Sequence, residues 1–208
     1  MTENDKSIAV KTTYHHGDLR RSLLDAAKTM IRAEGIEAVT MRKLAARVGV
    51  SRSALYHHFA DKQDLLCALA LEGFERQKSQ FTDRKQALSE VELFSRHIRD
   101  YVMFAVENPE YYDLMFGRDI WKSGHPTEAL KVEAYTSFRN YTRAIAHWQA
   151  QGIIPAEFEP TRFAQVSWSM LHGISRLLID GIYVDREAME GMCQAAAKML
   201  LNRLPAES

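Results

Sequence analysis

The residues most able to do chemistry lie between positions 40 and 62, in the stretch TMRKLAARVGVSRSALYHHFADK. Thr40 and Ser51 are residue types that cap helix N-termini, and each precedes a short apolar pattern of helical spacing. Arg42 and Lys43 fall in the first turn of one such helix, Arg52 opens the next, and Lys62 follows Asp61 at the start of a third. The N-terminal end of a helix carries partial positive charge, so each base there costs roughly a few tenths of a kcal/mol. A phosphate backbone reverses the sign, because helix N-termini and cations both attract anions. A solvated basic face is the alternative reading.

Other reactive residue types form no pattern of comparable weight. His57 and His58 are adjacent, so on a helix they project about 100° apart and do not share one ion. Cys67 and Cys193 fit no metal or redox spacing and read as small apolar residues. Glu157 and Glu159 lie among prolines in a loop-like stretch and read as solvated. No glycine-rich phosphate loop, metal-ligand motif or nucleophile-base arrangement is present. The expectation is a protein that is not an enzyme, with no catalytic residue, metal or cofactor.

The elements that must position the basic residues are all helical. Apolar residues recur at three- and four-residue spacing, and no long stretch alternates with period two. Leu19, Leu23, Ala27 and Met30/Ile31 mark a first helix, closed near Gly35. Leu44, Ala45 and Val48 mark a second, with Gly49 beyond its end where a left-handed backbone suits glycine. Two short helices joined by a Gly-containing turn form a helix-turn-helix over about 40–59. A fourth helix runs from Lys62 to about Phe81, and the charges of Asp83, Arg84 and Lys85 suggest a break. Ser89 and Glu92 form a capping-box pattern opening a fifth. Asn108-Pro109 ends it and starts a sixth, which Gly117 stops. After a loop over 118–125, Pro126 opens a long seventh ending at Gly152; Pro160 opens an eighth, and Asp185 or Arg186 a ninth. The fold class is all-α, with about nine helices: an N-terminal three-helix DNA-binding unit at 17–77 and a C-terminal bundle at 83–204.

Length and composition fit this division. The 208 residues can bury one large core or two small ones. Net charge is zero, but residues 1–64 carry 11 Lys/Arg against 8 Asp/Glu, a net of +3. That asymmetry points the N-terminal part toward an anionic partner. No apolar run approaches the roughly 18 residues that span a bilayer. The opening MTENDKSIAVKTTYHHGD lacks a signal-peptide core, so a cytoplasmic location with no membrane contact is expected.

The segments HGDLRRSLLDAA and IRAEGIEAVTMRKLAARVGVSRSALYHHFADKQDLL resemble the DNA-binding domain of the TetR family of transcriptional regulators, over roughly Gly17 to Leu66. NPEYYDLMF at 108–116 and WSMLHGISRLLIDG at 168–181 resemble the C-terminal domain of one TetR subgroup with a Trp-His-Gly signature, matched by Trp168, His172 and Gly173. The resemblance implies a homodimer that sets two recognition helices in successive major grooves of a palindromic double-stranded operator. By position the recognition helix is Arg52 to Phe59. Arg52, Ser53 and Ala54 then face base edges, with His57 beside them, while Thr40, Arg42, Tyr56 and Lys62 grip phosphate, and Lys43 and Ser51 belong to the same DNA-binding surface. Arginine suits bidentate contact to guanine, and the Ala54 methyl suits a thymine methyl.

For the C-terminal domain, the resemblance pairs the last two helices with their copies in a four-helix bundle. Phe163, Val166, Met170, Ile174 and Leu177 would form the seam with Met189, Met192, Ala196 and Met199; packing inside a monomer is the other reading. An apolar effector site between the middle helices would draw on Tyr101, Phe104, Tyr111, Phe116, Trp121, Phe138, Trp168 and His172. Most such aromatics fill cores, and His172 is as consistent with a satisfied core histidine. The implied function is a repressor released from its operator by a small-molecule effector of unknown identity. A DNA-bound architectural or adaptor protein, with a filled interior and a protein partner, is the rival.

Overall fold

A computed structural model describes residues 19–82, 88–122 and 124–201. Among them the chain forms ten α-helices, two 3-10 turns and no strand. Contacts divide the chain into two units, one ending at Asp61 and the other beginning at Lys62. The sequence-based boundaries 17–77 and 83–204 instead place the fourth helix with the first unit. Gly17, the break at Asp83, Arg84 and Lys85, and the end at 204 lie outside the described residues.

The first unit holds α1 (Leu19–Glu34), a 3-10 turn (Ile36–Ala38), α2 (Met41–Val48) and α3 (Arg52–Tyr56). The helical spacing of the apolar residues puts Leu23, Ala27, Leu44 and Leu55 on inward faces, where they are fully buried. α2 packs on α1 and on α3. Phe59 is buried too, and the Arg20 guanidinium sits 5.4 Å from its ring centroid.

The second unit holds α4 (Lys62–Thr82), α5 (Glu90–Glu107), α6 (Pro109–Phe116), α7 (Arg118–Trp121), α8 (Glu128–Ala150), α9 (Pro160–Asp180) and α10 (Met189–Leu200). The capping box opening α5 is complete: the Ser89 N–H donates to Glu92 at 2.8 Å, and the Glu92 N–H donates to the Ser89 hydroxyl at 3.4 Å. Pro109 and Pro160 stand in the first turns of α6 and α9. α5 lies at the centre, packed on α4, α6, α9 and α10, with Phe94, Ile98 and Val102 fully buried. α4 meets α6 closely at Gly73, where a Cβ would come 2.7 Å from the Met115 sulfur.

Three local readings change. The segment read as loop over 118–125 contains the four-residue α7. The long helix starts at Glu128 with the Thr127 hydroxyl accepting the Leu130 N–H, so the side-chain cap sets the start rather than Pro126. The last helix starts at Met189, preceded by a 3-10 turn at Arg186–Ala188 that Asp185 caps.

Candidate nucleic-acid interface and ligand site

The helix-turn-helix is built by its caps. The Thr40 hydroxyl accepts the Lys43 N–H at 3.2 Å, and the Ser51 hydroxyl accepts the Ala54 N–H at 3.1 Å. Gly49 turns the chain between them at φ 76°, in the left-handed region. These short-range devices present Thr40, Arg42, Lys43, Ser51, Arg52 and Ser53 on an exposed surface. Ala54 is half-buried, and Tyr56 keeps half of its surface exposed.

The third helix is shorter than the span Arg52 to Phe59 expected of a recognition helix. α3 ends at Tyr56, His57 is its C-cap, and the Phe59 N–H donates to the Leu55 carbonyl in the turn that follows. His57 is exposed but sits beyond the last helical residue. Ser53 is also less independent than its position suggests, because its hydroxyl lies 3.0 Å from that of Ser51. Lys62 opens α4 in the second unit and is half-buried.

In the second unit, four of the expected pocket residues gather and the others do not. Tyr101, Phe116 and His172 pack around Tyr112, and Trp168 joins through Phe116 and His172. The Tyr101 and Tyr112 hydroxyls are 3.0 Å apart, and the Tyr112 hydroxyl lies 2.7 Å from His172 Nδ1. Trp168 stacks on His172 at 5.1 Å, and Phe116 contacts both rings. Burial pushes the Tyr112 phenol up to about 12 and the His172 imidazole down from its ordinary value. Tyr111 turns the other way, donating to Glu72 of α4 at 2.6 Å, while Trp121 donates to the Met115 carbonyl. Phe104 is buried, and Phe138 packs at the edge of the C-terminal core.

An open groove lies elsewhere in this unit, with a volume of about 350 Å³, and none of the expected pocket residues line it. Its walls are the end of α4 (Phe81), one face of α5 (Glu90, Leu93, Arg96, His97, Asp100) and the end of α8 (Ala144, His147, Trp148). His97 is held between Phe81 at 4.7 Å and Tyr141 at 5.1 Å, and burial lowers its pKa to about 4. The helical spacing of Glu90, Leu93, His97 and Asp100 was the available signal for this face.

The residues of the expected seam divide. Phe163 and Ala196 are buried within the chain's own core; Met170, Ile174, Leu177, Met189 and Met192 are half-buried. Val166 and Met199 are 57% and 59% exposed. Among the described residues no helix is long and apolar enough to cross a membrane, and no three His, Cys, Asp or Glu gather as metal ligands.

Comparison with known proteins bears on both units. Residues 23–69 match the family pattern described as bacterial regulatory proteins, tetR family. Residues 94–202 match the tetracyclin repressor-like C-terminal domain. The HTH-type transcriptional repressor Rv1474c of Mycobacterium tuberculosis is 42% identical over 62 residues, 30% of this chain and 33% of that protein. The HTH-type transcriptional repressor AcnR of Corynebacterium glutamicum is 33% identical over 97 residues, 46% of this chain and 45% of its own. The chain thus spans about a third to a half of the length of the curated relatives it matches. A solved structure of a protein with unknown function from Rhodococcus sp. RHA1 superposes with a TM-score of 0.80 at 29% identity, covering 94% of this chain and 100% of that one.

Proposed function

Because the chain belongs to the tetR family of bacterial regulatory proteins, we propose that it is a sequence-specific DNA-binding transcriptional regulator: a repressor released from a palindromic operator by a small-molecule effector. The observation that carries this reading is a pair of consecutive capped helix starts whose polar and basic residues are exposed: Thr40, Arg42 and Lys43 at the first, Ser51 and Arg52 at the second. Bases at helix N-termini are unfavourable for an isolated domain and favourable against phosphate. Residues 17–77 serve DNA binding in this reading, and residues 83–204 serve effector binding and dimerisation. The protein acts in the cytoplasm, where its operator is, and has no catalytic role.

A homodimer follows from the need for two half-sites. It is supported by the exposed Val166 and Met199 and by the open space beside Gly173 of α9 and Gly191 of α10. Apart from the adjoining residues and backbone of its own helix, no described atom lies within 4 Å of where a Cβ would stand at either glycine. The Trp168–His172 stack likewise supports placing the C-terminal domain in the Trp-His-Gly subgroup. The open groove of about 350 Å³ offers a small-molecule signal a place to bind; an adaptor with a filled interior remains the alternative.

Mechanistically, the effector shifts a population. It binds one conformation of the dimer more tightly than the other, and a coupling of roughly 1–3 kcal/mol changes operator affinity about 5- to 150-fold. Selection of bound duplexes from a random pool tests the reading. Enrichment of a two-fold symmetric site, with half-sites about one helical turn apart, is the expected result. Absence of a shift with any duplex at low salt would overturn it.

A further inference from the structure

We propose that the groove walled by α4, α5 and α8 binds a small organic cation, an ammonium group carried on an apolar body. This deepens the effector reading: its use as a signal rests on that reading, while the binding itself rests on the groove alone.

Charge decides the sign of the ligand. Among the described lining residues two carboxylates, Glu90 and Asp100, stand against one guanidinium, Arg96. Among these described residues an anionic ligand would meet both carboxylates, and the Arg96 guanidinium is already engaged with one of them, its Nε 3.9 Å from Asp100. At that distance the pair is an ion contact without a hydrogen bond, so the Asp100 carboxylate keeps capacity to accept a donor. Glu90 is held in place more firmly. Its carboxylate accepts the Trp148 indole N–H at 3.1 Å and lies 3.7 Å from His147 Nε2, yet its side chain is 38% exposed. A carboxylate fixed at a rim and still reachable is a ready seat for an ammonium group.

The walls suit the remainder of such a molecule. Phe81 and His97 stack at 4.7 Å, and Trp148 meets the His97 ring edge-on at 5.7 Å. Burial among these rings keeps the His97 imidazole neutral near pH 7, so it adds no positive charge to repel a cation. Aromatic faces attract cations through their quadrupole, and Leu93 and Ala144 complete an apolar surface. The volume of about 350 Å³ is at the lower end for small-ligand sites and admits a molecule of about a dozen heavy atoms.

Calorimetric titration of the full chain with 4-phenylbutylammonium, 4-phenylbutanol and 4-phenylbutyrate separates the possibilities. The cation should bind about tenfold or more tighter than the alcohol and the carboxylate. Glu90→Gln keeps an acceptor for the Trp148 N–H but removes the charge, and should erase most of that preference. Ala144→Phe should fill the groove and block the cation. On the unaltered protein, the Trp148 indole N–H resonance should shift on adding the ammonium compound. Equal or tighter binding of the alcohol or the carboxylate overturns the proposal, as does no binding at millimolar concentration or an unmoved Trp148 resonance. Operator binding measured separately distinguishes the two failures. A protein that selects an operator but binds no cation sinks this inference alone; one that binds the cation yet selects no DNA sinks the regulator reading.

Discussion

The Tyr112 hydroxyl lies 2.7 Å from His172 Nδ1 and 3.0 Å from the Tyr101 hydroxyl, joining α5, α6 and α9 through one polar atom in an aromatic cluster. Tyr112→Phe removes that atom and takes one partner from His172 and one from buried Tyr101, whose hydroxyl also meets Trp168. An unfulfilled buried hydrogen bond costs about 1–3 kcal/mol. Thermal unfolding should show a drop of this size, whereas a surface tyrosine such as Tyr135, which is 67% exposed, should tolerate the same change.

His97 makes stability depend on pH. Its folded-state pKa is lowered to about 4 by burial, against an ordinary value of 6.5. As pH falls, the unfolded chain takes up a proton at this site before the folded one does. The stabilisation is therefore complete above pH 6.5 and declines as pH falls toward 4, at up to about 1.4 kcal/mol per unit. His97→Phe keeps the stack on Phe81 and Tyr141 but cannot titrate. Melting curves between pH 4 and 7 should have a distinctly shallower slope for that variant.

Arg52 and Arg42 should separate in DNA binding. Arg52→Ala should relax the preference at one base pair of each half-site by about 1–3 kcal/mol, read from competition with operators altered at single positions. Arg42→Ala should weaken all duplexes alike and reduce the salt slope by about one unit per bound protomer. A uniform loss for Arg52 would assign it to phosphate instead.

Gly117 joins α6 to α7. A Cβ there would collide with the Asp113 carbonyl oxygen, which accepts the Gly117 N–H at 2.7 Å. Backbone cannot step aside as a flexible side chain can. Gly117→Ala should therefore cost about 1–3 kcal/mol in denaturant titration. Gly173→Ala, with open space around its position within the chain, should leave protomer packing undisturbed.

What could be read from sequence follows the range of the interaction. Thr40, Gly49, Ser51 and the Ser89–Glu92 box act within one helical turn, and each appears where its residue type places it. The length of α3 is different: whether the chain continues helical past Tyr56 depends on where buried Phe59 must go, which is a tertiary matter. Tyr111 and Tyr112 are adjacent in the sequence and point to different neighbours, Glu72 of α4 and His172 of α9. Spacing alone does not choose between them, although Tyr112 and Phe116, four residues apart, offered the clue. The groove needed three helices to be placed before its lining could be recognised.

The bond between the Ser51 and Ser53 hydroxyls has a genetic corollary. With those two short side chains turned toward each other and Ala54 half-sunk, Arg52 is the single long reach in the five-residue α3 before Tyr56. If α3 reads bases as proposed, a head of that kind spells one letter firmly and its neighbours loosely. On the proposed regulator reading, promoters drift at most positions without escaping control, and the set of regulated genes widens or narrows through changes at the one base pair that Arg52 meets in each half-site.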